Sequence, residues 1–308
     1  MTLPPSAEQL ALRAPAPAGE SVRVAVLADI HGNVPALEAV LEDLSRQAVD
    51  EVLLGGDLVG RGPEGKRVVE RVRQLGWRGV QGNHEEYLLN FRRRRVPEEW
   101  LEAEEWSAAR WMAAALDGPT ESYIDALPFT LTSALAPELR LVHGSPSSFN
   151  EGIGPWLSDE QISRHLDQVA EPLLVCAHTH RPMHAVLGGG QVLNIGSVGL
   201  PFNRDHRAQY AILTRRAGEW EVDFRRVEYD REAIYRIYRD SGFVEHGGIT
   251  AKLLLLELEV ASPALVPFLQ WAEILQRPPR EDQLDDFLRF WSPEESMREF
   301  IRRLRALG

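Results

Sequence analysis

Between residues 22 and 194, short apolar runs alternate with longer stretches whose apolar residues recur at helical spacing. The runs at 22–28, 51–55, 79–81, Leu139–Val142, Leu173–Cys176 and 191–193 are rich in Val and Leu and too short for helices, so they read as buried strands. After the first, Asn33 can cap a helix with Pro35 in its first turn, followed by Leu37, Val40, Leu41 and Leu44 on one face. Val68, Val69, Val72 and Leu75 repeat the pattern before Gly76, a residue suited to closing a helix. Strand–helix–strand alternation at this spacing predicts parallel strands joined by crossover helices.

Other segments depart from that rhythm. Residues 86–136 carry Tyr87, Trp100, Trp106, Trp111 and Tyr123 among Glu and Arg, and predict a cap-like helical insertion. Its aromatics read as helix packing, and its four arginines at 92–95 as a solvated face. Residues 210–213, a turn at Ala217-Gly218 and residues 220–227 predict an antiparallel hairpin, expected to close a second sheet. Residues 230–308 look helical, with a capping box expected at Ser292-Pro293-Glu294-Glu295 ahead of Met297, Phe300, Ile301 and Leu304. The expected organisation is a flexible leader at 1–20, a main domain at 21–245 holding the insertion, and a helical extension at 246–308. The extension carries no recognisable chemistry and reads as packing or self-association.

Each short strand ends on polar residues: Asp29-Ile30-His31, Gly56-Asp57 with Arg61-Gly62, Gly82-Asn83-His84-Glu85, His143-Gly144, His178-Thr179-His180, and Asn194. Open α/β sheets build sites beyond the carboxyl ends of their strands, so this series predicts one mouth. Asp, His and Asn without thiolate are oxygen and nitrogen donors suited to Mn, Fe or Zn. Seven such donors exceed what one catalytic metal with open positions needs; two metals sharing a carboxylate fit better. A pair of that kind generates a bound hydroxide at neutral pH and clamps phosphoryl oxygens, and Arg61 adds a planar cation for phosphate.

The blocks Asp-x-His, Gly-Asp-x-x-x-Arg-Gly, Gly-Asn-His-Glu, His-Gly and x-His-x-His, in that order from about residue 22 to 227, resemble the calcineurin-like metallophosphoesterase superfamily. The resemblance implies a four-layer α/β/β/α sandwich of two mixed sheets flanked by helices. It also implies that Asp29, His31 and His180 hold one divalent metal, Asn83, His143 and His178 a second, and that Asp57 bridges them. Manganese is favoured, with Fe, Zn or Ni as alternatives, and His84 would be the catalytic histidine beside the leaving group. Ala177 stands where the family usually has Gly. Gly60 stands where Ser/Thr protein phosphatases of the superfamily carry an Asp that orients this histidine, so an aspartate restored there is expected to raise the pKa of His84. The x-His-x-His ending is more similar to the bacterial phosphodiesterase and small-phosphatase branches. The expected activity is hydrolysis of a small phosphodiester or phosphomonoester, a nucleotide included, by in-line attack of metal-bound hydroxide. Protein phosphatase activity is the enzymatic alternative, and a non-catalytic scaffold of the same fold is the alternative from another class.

Charge narrows the partners. The 308 residues carry a net charge of −12, which argues against stable binding to DNA or RNA backbones. It does not exclude a small anionic ester, because divalent cations reverse the field at the mouth. Cys176 is the only cysteine, consistent with a reducing compartment. With no apolar run of signal or membrane length, the expected location is cytoplasmic and away from membranes.

Overall fold

Strand β1 (Val22–Leu27) shows how the layers are assigned: Val24 and Val26 point to one side, Ala25 and Leu27 to the other, and all four are fully buried. A strand with two apolar faces must be covered twice. The computed structural model describes residues 21–306, so the expected leader lies outside the described residues. One sheet has the order β10-β9-β1-β2-β3 and the other β4-β5-β6-β8-β7. Strands β2 (Glu51–Leu54) and β3 (Arg78–Gly79) run parallel to β1, while β9 (Ala208–Arg216) and β10 (Glu219–Val227) are antiparallel. In the other sheet β5 (Leu139–Val142), β6 (Leu173–Cys176) and β8 (Gly190–Asn194) are parallel, edged by antiparallel β4 (Thr130–Thr132) and β7 (Met183–Leu187).

Three apolar layers hold these sheets. Val24, Val26, Leu53 and Leu213 meet Leu139, Leu141, Leu173, Val175 and Leu193 between them. Ala25, Leu27 and Leu54 pack under α1 (Val34–Leu44) and α2 (Gly65–Leu75). Val142, Leu174, Cys176 and Val192 are covered by Ile162 and Leu166, which lie on a helix at Asp159–Leu166. The result is the α/β/β/α sandwich. Asn33 caps α1 by accepting from the Ala36 amide, and Gly76 ends α2 in the left-handed region, both as their chemistry demands.

Helices α3 (Asn83–Arg92), α4 (Ser107–Ala115) and α5 (Gly118–Asp125) follow β3, then α6 (Asp159–Leu166) after β5. Trp100 and Trp106 stack at 4.2 Å between centroids and pack with Phe91, which is the helix-packing use expected of these aromatics. Arg92 and Arg93 pair with Glu121, and Arg93 also with Asp125. The chain ends with α7 (Arg231–Asp240), α8 (Phe243–His246), α9 (Gly248–Val260), α10 (Leu265–Ile274), α11 (Leu284–Phe290) and α12 (Met297–Arg305). Phe268, Trp271, Phe287, Phe300 and Leu304 give this tail a core of its own, while Ala251, Leu254 and Leu258 of α9 join the main one.

Three expectations are corrected. The β9–β10 hairpin joins the sheet of β1, because Val24 and Ala25 pair with Leu213 and Ile212; it does not close the other sheet. Residues 130–132, read as helical, form strand β4, held to β5 by the Thr130 hydroxyl as well as by the ladder. The last helix is capped by Ser296 with Glu299, not by Ser292 with Glu295: Ser292 binds Glu294, and Glu295 is drawn away by Arg303 at 2.8 Å.

Candidate metal centre

The carboxyl ends of β1, β2, β5, β6 and the start of α3 deliver the polar residues to one place, where their backbones depart from ordinary strand geometry. Asp29, His31, Asp57, His178 and His180, together with Arg61, all have positive φ, between 51° and 66°. Left-handed backbone costs a non-glycine residue about 1–2 kcal/mol. Such strain concentrated on five of the seven candidate ligands marks a site over-determined by its surroundings. Ala177 is not in that region, so the alanine replacing the family's usual glycine is accommodated as a buried core residue.

Two donor groups form around one carboxylate. Asp29, His31, Asp57 and His180 present ligand atoms within 4.8 Å of one another, and Asp57, His143 and His178 do the same. Asp57 belongs to both. Its Oδ2 lies 3.6 Å from His31 Nε2 and 3.3 Å from His143 Nε2, while Oδ1 accepts the His84 amide at 2.9 Å. Asn83 Oδ1 joins the second group, 3.0 Å from His143 Nε2 and 2.9 Å from His178 Nδ1.

The donors form groups that could hold metal ions. His31 Nδ1 donates to the Val59 carbonyl and His180 Nδ1 to the Leu200 carbonyl, which leaves each Nε2 with a bare lone pair. Those two nitrogens face each other at 3.1 Å. Burial pushes His31 down to about 3 and His180 well below the usual imidazole range, so no proton sits between them near neutral pH. Asp29 Oδ1 is buried with no hydrogen-bond partner, 3.6 Å from His180 Nε2. Two facing lone pairs and an orphaned carboxylate oxygen form an arrangement that a cation relieves. In the second group, burial opposes a proton on His143, but Asp57, Asp29 and the Gly55 carbonyl outweigh it and hold the ring up at about 10. Burial lowers His178 to about 4. A metal ligand must shed its proton, so a cation there competes with the proton on His143.

Supporting residues fix this frame. Glu85, fully buried, accepts from the amides of Asp57, Leu58, Val59 and Gly82 and so clamps the loop after β2 onto the start of α3. Burial and the neighbouring Asp57 push its carboxyl up to about 7. Asn194 Nδ2 donates to Ile153 O, Ala177 O and Thr179 Oγ1, tying the loop after β5 to the loop after β6 that carries His178 and His180. Glu85 and Asn194 were in view as motif neighbours; what they bind was not readable.

His84 stands on the rim, its ring edge-on to His31 at 5.0 Å. Burial lowers its pKa well below the usual range, with the Asp57 carboxylate acting the other way. Arg61 Nε donates to His84 Nε2 at 3.2 Å, so at rest that nitrogen is unprotonated. Arg61 Nη1 meets Glu257 of α9 at 2.7 Å, and Tyr238 of α7 donates to the Arg61 carbonyl. The helical tail, expected to carry no chemistry, thus reaches the site through the fully buried Glu257. A single acid inside Leu253-Leu254-Leu255-Leu256-Glu257-Leu258 was the only available signal.

Comparison with known proteins agrees with this geometry. A sequence model described as calcineurin-like phosphoesterase matches residues 22–182, just over half of the chain. An uncharacterized protein of Methanocaldococcus jannaschii is 25% identical over 230 residues, covering 69% of this chain and 90% of its own. A symmetrical bis(5'-nucleosyl)-tetraphosphatase of Baumannia cicadellinicola is 41% identical over 66 residues, 20% of this chain and 23% of that one. The crystal structure of a metallophosphoesterase from Sphaerobacter thermophilus superposes with a TM-score of 0.62 at 27% identity, covering 78% of this chain and all of that one.

Proposed function

The chain belongs to the calcineurin-like phosphoesterase family and is a metallophosphoesterase, and from that premise we propose that it hydrolyses a small phosphodiester or phosphomonoester, nucleotides included, at a pair of divalent ions, manganese foremost. The observation that carries the two-ion reading is Asp57, whose Oδ2 is shared between two separate donor groups. Asp29, His31 and His180 would hold one ion, Asn83, His143 and His178 the other, and Asp57 both. Such ions supply Lewis acidity toward water and toward the phosphoryl oxygens.

The chain's own residues do the rest. Glu257 occupies Arg61 Nη1, and Nε is lent to His84, so Nε and Nη2 are the edge of the fork that a phosphoryl group can take bidentately. An anionic ester engaging that edge draws Nε–H off His84. The same negative charge favours a proton on the freed Nε2, against the burial that withholds it at rest. His84 then hands that proton to the leaving oxygen. The resting contact between Arg61 and His84 is therefore read as a gate that opens when phosphate arrives.

His84→Ala tests the role. Kinetics on manganese-loaded protein should show a loss of about 10²–10⁴-fold on alkyl or nucleoside esters. Esters of nitrophenolate, a leaving group needing little protonation, should suffer least, with metal content unchanged. Equal losses on all esters, or an emptied metal site, would mean that His84 positions phosphate or metal instead.

A further inference from the structure

Trp156 is 54% exposed, the only tryptophan so open among the described residues, and it stands beside the candidate metal centre. Gly152 separates it from that centre: a Cβ built on Gly152 would lie 3.6 Å from His178 Cδ2 and 3.7 Å from Trp156 Cζ2. The indole is held rather than loose. A turn closed by Leu157 N–H to Gly154 O folds it back onto Gly154, where a built Cβ would stand 2.4 Å from the ring. Through Ile153 O, Asn194 fastens this same loop to the loop carrying His178 and His180.

Arg181 follows directly. Its guanidinium lies 5.7 Å from the Trp156 ring centre, and its Nε donates to Phe202 O at 2.8 Å. Arg181 is half-buried, and among the described residues no carboxylate pairs with it and its terminal amino groups have no protein partner. A guanidinium whose terminal nitrogens are uncommitted can take a phosphate through a planar fork. An exposed indole with this guanidinium over its ring, at the edge of a candidate phosphoester site, presents aromatic and anion recognition together.

Building on the phosphoesterase reading, we propose that Trp156 and Arg181 form a subsite for a nucleoside phosphate, the base stacking on the indole and Arg181 meeting phosphate charge. Stacking on an aromatic side chain is sequence-tolerant, because every base has a π-face. The subsite therefore selects for a base without selecting among bases.

The test compares AMP with ribose 5-phosphate, which lacks the base, as inhibitors of bis(4-nitrophenyl) phosphate hydrolysis by the manganese-loaded protein. AMP should bind at least about tenfold more tightly, the lower part of the range for one stacked base. Trp156→Ala should erase most of that difference, Trp156→Phe should keep much of it, and Arg181→Ala should weaken both inhibitors. Melting temperature and metal content of each variant separate this from misfolding. Equal inhibition by the two compounds in the unmodified protein, or an unchanged ratio in Trp156→Ala, would overturn the subsite while leaving the phosphoesterase reading intact. Absence of any ester hydrolysis would fail that reading instead.

Discussion

His84 and Gly60 are matched to each other atom by atom. A Cβ on Gly60 would stand 2.5 Å from His84 Nδ1 and 2.6 Å from its Cβ, and the glycine has φ of +79°, which a side chain resists. The expectation that an aspartate at 60 would raise the pKa of His84 is corrected: there is no space for one, and the group that does stand beside His84 is the Arg61 guanidinium, whose charge acts in the opposite direction. Gly60→Ala should displace the imidazole and lower turnover on nucleoside esters by at least about tenfold, part of what acid catalysis is worth, with metal content retained. A fully active Gly60→Ala would show that His84 does not need this seat. The residue types at the mouth were legible because Asp, His and Asn just after apolar runs have few other uses in such numbers. Glu257 was not, because its partner Arg61 lies 196 positions away and nothing local announces the pairing.

Elements followed the sequence where one period dominated. The buried strands β1, β2, β5, β6 and β8 showed as continuous apolar runs, and α1 and α2 showed their caps as well as their stripes. Strands β4 and β7 were missed because they are short sheet edges with mixed polarity, and an edge pairs on one side only. The hairpin was found, but its sheet was misassigned, since pairing partners are a tertiary choice. That choice has its own fastening. Asp43 at the end of α1 accepts from Tyr210 of β9 at 2.7 Å and from Arg225 of β10 at 3.1 Å. Burial pulls its carboxyl upward, but the bonds from Arg225 and Tyr210 pull harder, and the net pKa lies below the ordinary 3.8. A depressed folded value stabilises fully above the unfolded pKa and loses that contribution as pH falls through the folded one. Asp43→Asn should therefore cost about 1.5–3 kcal/mol at neutral pH, as for hydrogen bonds to a charged group. The melting-temperature gap to the unmodified protein should narrow as the pH is lowered toward 3. A gap that is constant with pH would assign the effect to packing alone.

At the scale of the whole molecule, one mouth is assembled from both sheets, and the helical tail braces it from behind. The β1–β2–β3 sheet brings Asp29, His31, Asp57 and, through α3, Asn83; the other sheet brings His143, His178 and His180. Neither sheet holds a complete donor group, so the site exists only when the two are packed face to face. No helix among the described residues is long and apolar enough to cross a membrane. Because the facing imidazoles and the orphaned Asp29 oxygen are relieved by cations, metal removal should lower the melting temperature as well as abolish turnover, and manganese should restore both. The most direct measurement of the central claim is a crystal structure of manganese-loaded protein with anomalous scattering at the manganese edge. Two peaks roughly 3.5–4 Å apart are expected, the spacing of two-metal phosphoesterase sites. Asp57 should lie between them, with Asp29, His31 and His180 around one and Asn83, His143 and His178 around the other. A single peak, or none, in protein that still hydrolyses phosphoesters would contradict it.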